Sequence, residues 1–120
     1  MEDRRFVPRY PLKMSVELLG AHSERFTVQS YDIALNSIGL HMERAAVIGL
    51  AQGGAQLTPG DSVVVVVDGQ DETPVTLGGR VRHVRRLSHE QYVVGVWFVD
   101  PDPIGETALE NLVDKARRGA

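Results

Sequence analysis

Apolar and polar residues alternate along most of the chain, which is the pattern of β-strands that bury one face. Strict alternation over residues 12–18 places four apolar side chains on one face and three polar ones on the other. Five valines at 63–67 form a run too short for a helix and apolar on both faces, which indicates a well-covered strand. The six predicted strands are 12–18, 26–33, 38–42, 63–67, 75–86 and 91–99.

The segments between these strands contain glycine at informative positions. Gly78-Gly79, inside the strand at 75–86, predicts a bulge or bend of the kind found at barrel corners. Residues 45–57 are predicted to form a loop with one helical turn, from which Ile48 and Leu50 plug an end of the barrel.

The hydrophobic period changes near the C-terminus. Asp102 and Pro103 have the residue types of an N-cap and a first helical position. The apolar residues that follow share one helical face: Ala108, Leu109, Leu112, Val113 and Ala116. The pattern therefore predicts a mainly β fold, a small six-stranded antiparallel barrel with a C-terminal α-helix.

Composition limits the classes of function. The chain has 120 residues, of which 42% are hydrophobic and 24% charged, which is typical of one globular domain. There is no cysteine, so disulfides, thiolate metal sites and cysteine nucleophiles are excluded. No apolar run approaches the roughly 18 residues of a membrane span, so we expect a cytoplasmic protein without membrane insertion.

The sequence offers no constellation for catalysis. The four histidines are scattered over turns, strands and a loop, with no helical spacing that would suggest a metal pair. No nucleophile elbow, phosphate-binding loop or dinucleotide fingerprint occurs. We therefore expect a protein that is not an enzyme and that uses neither a metal nor a cofactor.

The N-terminus carries a local positive charge in a chain whose net charge is −3. Arg4, Arg5 and Arg9 lie within six residues, ahead of the first predicted strand. Arginine presents a planar fork that binds phosphate or the O6/N7 edge of guanine through two hydrogen bonds. Residues 1–11 are thus predicted to be a flexible arm with an anionic ligand, and 12–118 a single domain. The alternative is an ordinary disordered terminus.

A second polar segment, residues 32–40, interrupts the apolar alternation between two strands. Asp32 in this segment could accept hydrogen bonds from N–H groups of a ligand, such as those of guanine. It could equally form an Asx turn with its own backbone. The residues alone leave both interpretations open.

Together the two segments resemble the PilZ domain family, whose marks are Arg-x-x-x-Arg before a small barrel and, further along the chain, Asp/Asn-x-Ser-x-x-Gly between two strands of that barrel. Residues 5–9 match the first motif in full, and residues 32–37 occupy the second. Ala34 stands in place of the motif serine and Ser37 in place of the motif glycine, and both changes are expected to weaken binding. The resemblance extends over essentially the whole chain.

The resemblance implies a receptor for cyclic di-GMP (c-di-GMP) in which the arm folds over the nucleotide and the Asp32 turn contacts a guanine. The residues expected to bind c-di-GMP are Arg4, Arg5, Arg9, Asp32, Ala34, Ser37 and Arg82, with His83 a further neighbour. No sequence feature specifies the downstream protein partner or the oligomeric state.

Three functions remain possible at this point. The first is a bacterial c-di-GMP receptor that changes conformation and signals to a protein partner. The second is a PilZ domain that binds no nucleotide and acts only as a protein-interaction adaptor. The third, a barrel that binds single-stranded nucleic acid, is disfavoured because aromatic residues make up only 6% of the chain and the net charge is negative.

Overall fold

A computed structural model describes residues 7–20, 23–69 and 72–119 of the protein. Most of these residues belong to seven strands and two helices. In chain order the elements are β1 (Tyr10–Pro11), β2 (Ser15–Leu19), β3 (Arg25–Ala34), β4 (Ser37–Glu43), α1 (Arg44–Gly49), β5 (Ser62–Asp68), β6 (Pro74–Arg86), β7 (Gln91–Phe98) and α2 (Pro103–Gly119).

Six of the strands close into an antiparallel barrel, which confirms the predicted fold. The pairing order is β3-β2-β5-β6-β7-β4, and a β3–β4 pairing closes the ring. Inward-facing side chains fill the barrel: Leu18, Ile33, Ile38, Leu40, Val65, Leu77, Val94 and Val96 are among those that are fully or almost fully buried.

Helix α2 begins where the sequence predicts. The Asp102 carboxylate accepts a hydrogen bond from the backbone N–H of Gly105 (2.7 Å), which is an N-cap. The helix buries Ala108, Leu109 and Leu112 and contacts β1, β3 and β6. Because β3 and β6 lie on opposite sides of the ring, α2 crosses one end of the barrel.

The first predicted strand is interrupted. The hydroxyl of Ser30 donates to the carbonyl of Leu12 and accepts from the N–H of Met14 (3.1 Å). This side chain replaces part of the backbone ladder, so regular pairing stops between β1 and β2. The chain consequently joins the sheet already at Tyr10, which pairs with Ile33.

Two other predictions are wrong in detail. The pairing of β6 with β5 runs without a shift through Gly78-Gly79, and the bulge lies instead between Val81 and His83. Leu50 is fully buried as expected, but Ile48 is 47% exposed. The short helix α1 turns Val47 inward in its place.

Candidate functional site

The outer faces of β3, β4, β7 and β6 form a continuous surface beside the N-terminal segment. The two central strands contribute glycines that lie directly opposite each other, Gly39 and Gly95. A Cβ atom at Gly39 would lie 2.4 Å from Asp32 Oδ1 and 2.5 Å from Tyr31 Cζ, and one at Gly95 would lie 2.3 Å from His83 Cε1. These three side chains therefore rest on bare backbone.

Strand β1 places Arg9 against this surface. Pro11 pairs with Asp32 of β3, so Arg9, two residues before Pro11, lies on the same face of the sheet as the Asp32 carboxylate. Arg9 Nη2 is 2.7 Å from Asp32 Oδ1, and Arg9 Nε donates to Asp32 Oδ2 at 3.1 Å. Arg9 Nη1 donates to Ser37 Oγ. One guanidinium thus joins the N-terminal segment to both β3 and β4.

The Arg9–Asp32 pair is partly shielded from solvent, with side-chain exposures of 37% and 24%. The pKa of Arg9 is raised, first by its hydrogen bonds to Asp32 and also by the charge of that carboxylate, against the opposing effect of burial. Within the described residues, the positive charge of Arg9 is therefore balanced by a carboxylate of the barrel itself. Arg9 is thereby anchored to β3 and β4.

Asp32 lies inside β3 and not in a turn. The turn itself is formed by Leu35 and Asn36. Both carboxylate oxygens of Asp32 accept from Arg9, and within the described chain neither accepts from the backbone of an Asx turn. A shift in the β3–β4 pairing between Ser30 and Asp32 makes Tyr31 a bulge residue. The bulge brings Tyr31 and Asp32 over the same strand.

The two positions that depart from the motif have different surroundings. Ala34 is fully buried, so its side chain presents no surface to a ligand in this conformation. Ser37 is 2% exposed and has ordinary extended backbone, since the positive-φ residues of the described chain are elsewhere. Ser37 therefore needs no left-handed backbone in this structure, and its hydroxyl has a partner in Arg9.

Arg82 and His83 approach from β6. Arg82 is the residue at the β6 bulge, and its guanidinium carbon lies 4.3 Å from the centre of the Trp97 ring. Burial lowers the pKa of His83, and the charges of Arg82, Arg85 and Arg9 lower it further, while Asp32 acts in the opposite direction. The two halves of the site, Arg9–Asp32 and Arg82–His83, are thus electrostatically coupled.

Tyr31 completes the surface between these halves. Burial and the neighbouring Asp32 charge raise the pKa of its phenol, whereas Arg9 and Arg85 oppose the shift. Its ring lies 5.1 Å from that of His41 at a tilted angle of 58°. Aromatic rings beside arginine forks suit a planar ligand that also carries negative charge.

Four solvent-exposed side chains of β6 are cationic. Arg80, Arg82, Arg85 and Arg86 lie along one strand, and none of them pairs with a carboxylate of the described residues. We call these four residues the cationic edge. It borders the Arg82 half of the site.

The structure unites some of the predicted site residues and not others. Arg9, Asp32 and Ser37 contact one another, Arg82 lies on the same outer face, and Ala34 is buried. Arg4 and Arg5 lie outside the described residues. Sequence reasoning missed Tyr31, Gly39 and Gly95. Their neighbourhood depends on the register of β4 with β7 and on the β3 bulge, for which the sequence has no local signal.

The described site residues lie on a surface of strands that is separate from the cavity beside α2. A cavity of about 610 Å³ lies elsewhere, between the start of β6 and α2, and no charged residue other than Asp102 lines it. Within the described ranges, no group of three or more histidine, aspartate or glutamate residues is arranged to hold a metal ion. No helix found there is long and apolar enough to cross a membrane.

Comparison with known proteins gives a family. The PilZ domain model matches residues 3–115. No curated protein sequence matches the chain. The fold is similar to that of the PilZ domain of YcgR from Escherichia coli, solved with c-di-GMP, at 14% identity and a TM-score of 0.70, over 98% of this chain and 94% of that one.

Two other solved structures are similar. The PilZ domain of CeSA from a cellulose-synthesizing bacterium has 17% identity and a TM-score of 0.61, over 92% of this chain and 98% of that one. The MrkH–c-di-GMP complex from K. pneumonia has 16% identity and a TM-score of 0.63, over 100% of this chain and 57% of that one. Identities this low show similarity of fold.

Proposed function

Because the chain belongs to the PilZ domain family, we propose that it is a receptor for c-di-GMP that changes conformation on binding and signals to a protein partner. It acts as a non-enzymatic module in the cytoplasm. The observation that carries this proposal is the contact between Arg9 and Asp32. Arg9, from the arginine motif, and Asp32, from the aspartate motif, are 23 residues apart in sequence and meet on one outer face of the barrel.

The chemistry of the two groups suits the nucleotide. The guanidinium of Arg9 can bind a guanine O6/N7 edge or a phosphate through two parallel hydrogen bonds. The carboxylate of Asp32 can accept from the N1 and N2 groups of a guanine. Arg4 and Arg5 would add further forks from the arm, and Arg82 would add one from β6, where it now lies on Trp97.

Binding also requires a rearrangement. Asp32 and Arg9 use each other as partners in the ligand-free protein. A nucleotide that takes both groups must separate them, and the segment ahead of β1 must then move relative to β3. This exchange of partners is how we expect occupancy of the site to become a change of shape.

The test is calorimetric titration of the purified protein with c-di-GMP. Arg9→Ala and Asp32→Ala should each weaken binding by about 10- to 100-fold, which corresponds to the loss of charge-assisted hydrogen bonds. Arg25→Ala is the matched control, because Arg25 also pairs with a carboxylate (Glu17, 2.9 Å) but on β3 and β2, away from Gly39. Equal affinity of Arg9→Ala and Arg25→Ala would contradict the proposal.

Hydrogen exchange tests the conformational part. On addition of c-di-GMP, protection should change in residues 7–11 and 32–39 and stay constant in β5. A uniform change over the barrel would be inconsistent with a local exchange of partners.

One observation favours a second function, an adaptor that binds no nucleotide. Ala34 lacks the motif hydroxyl and is fully buried, and the hydroxyl of Ser37 is engaged by Arg9. An adaptor would give no heat of binding with c-di-GMP, and its interaction with a partner would be insensitive to the nucleotide. Titration at millimolar protein-ligand concentrations distinguishes the adaptor from a weak receptor.

A further inference from the structure

Ser37 adds a hydrogen bond to Arg9 beyond those of the Arg9–Asp32 ion pair. Asp32 takes the edge of the guanidinium formed by Nε and Nη2, and Ser37 Oγ accepts from the third nitrogen, Nη1. All three nitrogens of Arg9 therefore have acceptors within the protein. The Ser37 hydroxyl in turn donates to Asn36 Oδ1 at 3.3 Å, which orients its lone pairs toward Arg9.

The Ser37 contact also differs from Asp32 in accessibility. The Ser37 residue is 2% exposed, whereas the Asp32 side chain is 24% exposed. A ligand can therefore approach Asp32 directly, but it can reach the Nη1–Ser37 contact only after Arg9 has moved. A residue without a hydroxyl at position 37 would leave Arg9 held by Asp32 alone.

We propose that Ser37 is an affinity-setting clamp, whose hydroxyl fixes Arg9 on Asp32 in the ligand-free protein and so raises the c-di-GMP concentration at which the domain responds. This proposal rests on the proposed function. When only a fraction of molecules has Arg9 released, the apparent dissociation constant is the intrinsic one divided by that fraction. The clamp lowers the fraction and leaves the contacts made by the bound nucleotide unchanged.

The clamp makes a prediction opposite to that of a ligand contact. Ser37→Ala removes a hydrogen bond to a charged group only in the unbound state, so c-di-GMP should bind about 5- to 30-fold more tightly. Ser37→Gly should tighten binding as well, and it serves as the second variant if alanine disturbs β4. A Ser37 that touches the nucleotide would instead give weaker binding in both variants.

The first experiment is made without nucleotide. Unfolding of the wild type, Arg9→Ala, Ser37→Ala and the double variant by urea gives the coupling between the two side chains. The clamp predicts that the two substitutions are non-additive: Ser37→Ala should lower the free energy of unfolding less in the Arg9→Ala background than in the wild type. Ser15→Ala is the matched control: the hydroxyl of Ser15, on β2, accepts from Gln29 Nε2, on β3, at 2.9 Å, and its removal should be additive with Arg9→Ala.

The second experiment is titration of the same variants with c-di-GMP. Tighter binding by Ser37→Ala together with unchanged binding by Ser15→Ala supports the clamp. Weaker or unchanged binding by Ser37→Ala, or an additive cycle in the ligand-free protein, overturns it. Absence of binding by every variant, with the coupling between Arg9 and Ser37 intact, refutes the proposed function instead, so the two failures are distinguishable.

Discussion

Gly39 is the position at which a single added methyl group should disturb the site most directly. A Cβ atom there would lie 2.4 Å from Asp32 Oδ1 and 2.5 Å from Tyr31 Cζ. Ordinary van der Waals contact begins at 3.4 Å, so in Gly39→Ala both groups must retreat by about 1 Å. The hydrogen bonds of Asp32 to Arg9, at 2.7 and 3.1 Å, cannot both survive a displacement of that size unless Arg9 follows.

The expected cost follows from overpacking and from the loss of the ion pair. Forcing a side chain into an occupied space costs about 1–3 kcal/mol, and a partly exposed ion pair contributes up to about 1 kcal/mol. We therefore expect the free energy of unfolding to fall by about 1–4 kcal/mol and the melting temperature by about 4–16 °C. Affinity for c-di-GMP should fall by at least about tenfold, because Asp32 is displaced.

Gly95→Ala is the comparison for Gly39→Ala, because it displaces His83 of the same surface and leaves Asp32 in place. The added methyl group at Gly95 would meet the imidazole of His83, 2.3 Å away, which lies at the surface and can rotate outward. The two glycines face each other across β4 and β7, so the change in strand propensity is the same. Thermal denaturation and calorimetric titration provide the comparison. If Gly39→Ala retains wild-type affinity, or weakens binding no more than Gly95→Ala does, Asp32 is not held by the bare backbone of Gly39 as argued.

Three further predictions concern the core, the cationic edge and pH. Leu50→Ala should lower the free energy of unfolding by about 2–5 kcal/mol and Ile48→Ala by less than about 1 kcal/mol, because Leu50 is fully buried and Ile48 is 47% exposed. Equal losses in urea denaturation would show that Leu50 does not fill the end of the barrel. Arg82→Ala should lower the free energy of unfolding by about 0.5–1 kcal/mol and shift the emission maximum of Trp97, the chain's single tryptophan. An unchanged emission spectrum would exclude the cation–π contact. Because the folded protein lowers the pKa of His83, the unfolded chain binds more protons below about pH 6.5, so stability should fall on acidification through that range. Melting temperatures recorded between about pH 7 and pH 5 should fall less steeply for His83→Gln than for the wild type, and parallel profiles would remove His83 as a contributor.

The barrel could be predicted from the sequence because each strand has its own hydrophobic pattern. The valine run at 63–67 and the segment at 91–99 became β5 and β7 with boundaries nearly as expected. Helix α1 was expected only as a single turn in a loop, since six residues are too few for a helical period to stand out. Residue type alone predicts the β6 bulge at Gly78-Gly79. In the structure the β5–β6 pairing is regular there, and the register shift occurs in the β6–β7 pairing, at Arg82.

The site was less predictable than the fold, because it depends on pairings between distant strands. Arg9 and Asp32 were linked through the resemblance to a family, and no pattern of apolar residues relates two positions 23 apart. Their contact depends on the β1–β3 pairing, and a strand of only two residues is too short to show a hydrophobic pattern in the sequence. The partner of the Ser37 hydroxyl was likewise inaccessible, since it required the position of Arg9 over β4.

The cationic edge of β6 bears on how fast an anion arrives at the barrel. The chain as a whole carries a charge of −3, so at long range it repels an anion. Within a Debye length, about 8 Å at physiological salt, an anion that comes from the β6 side meets four arginines without carboxylate partners among the described residues. If the protein binds c-di-GMP as proposed, productive encounters should therefore be oriented, and the association rate should fall as added salt screens the attraction. The dissociation rate would then depend on the contacts at Arg9 and Asp32, whereas the association rate would depend on arginines of a different strand, on the other side of β7.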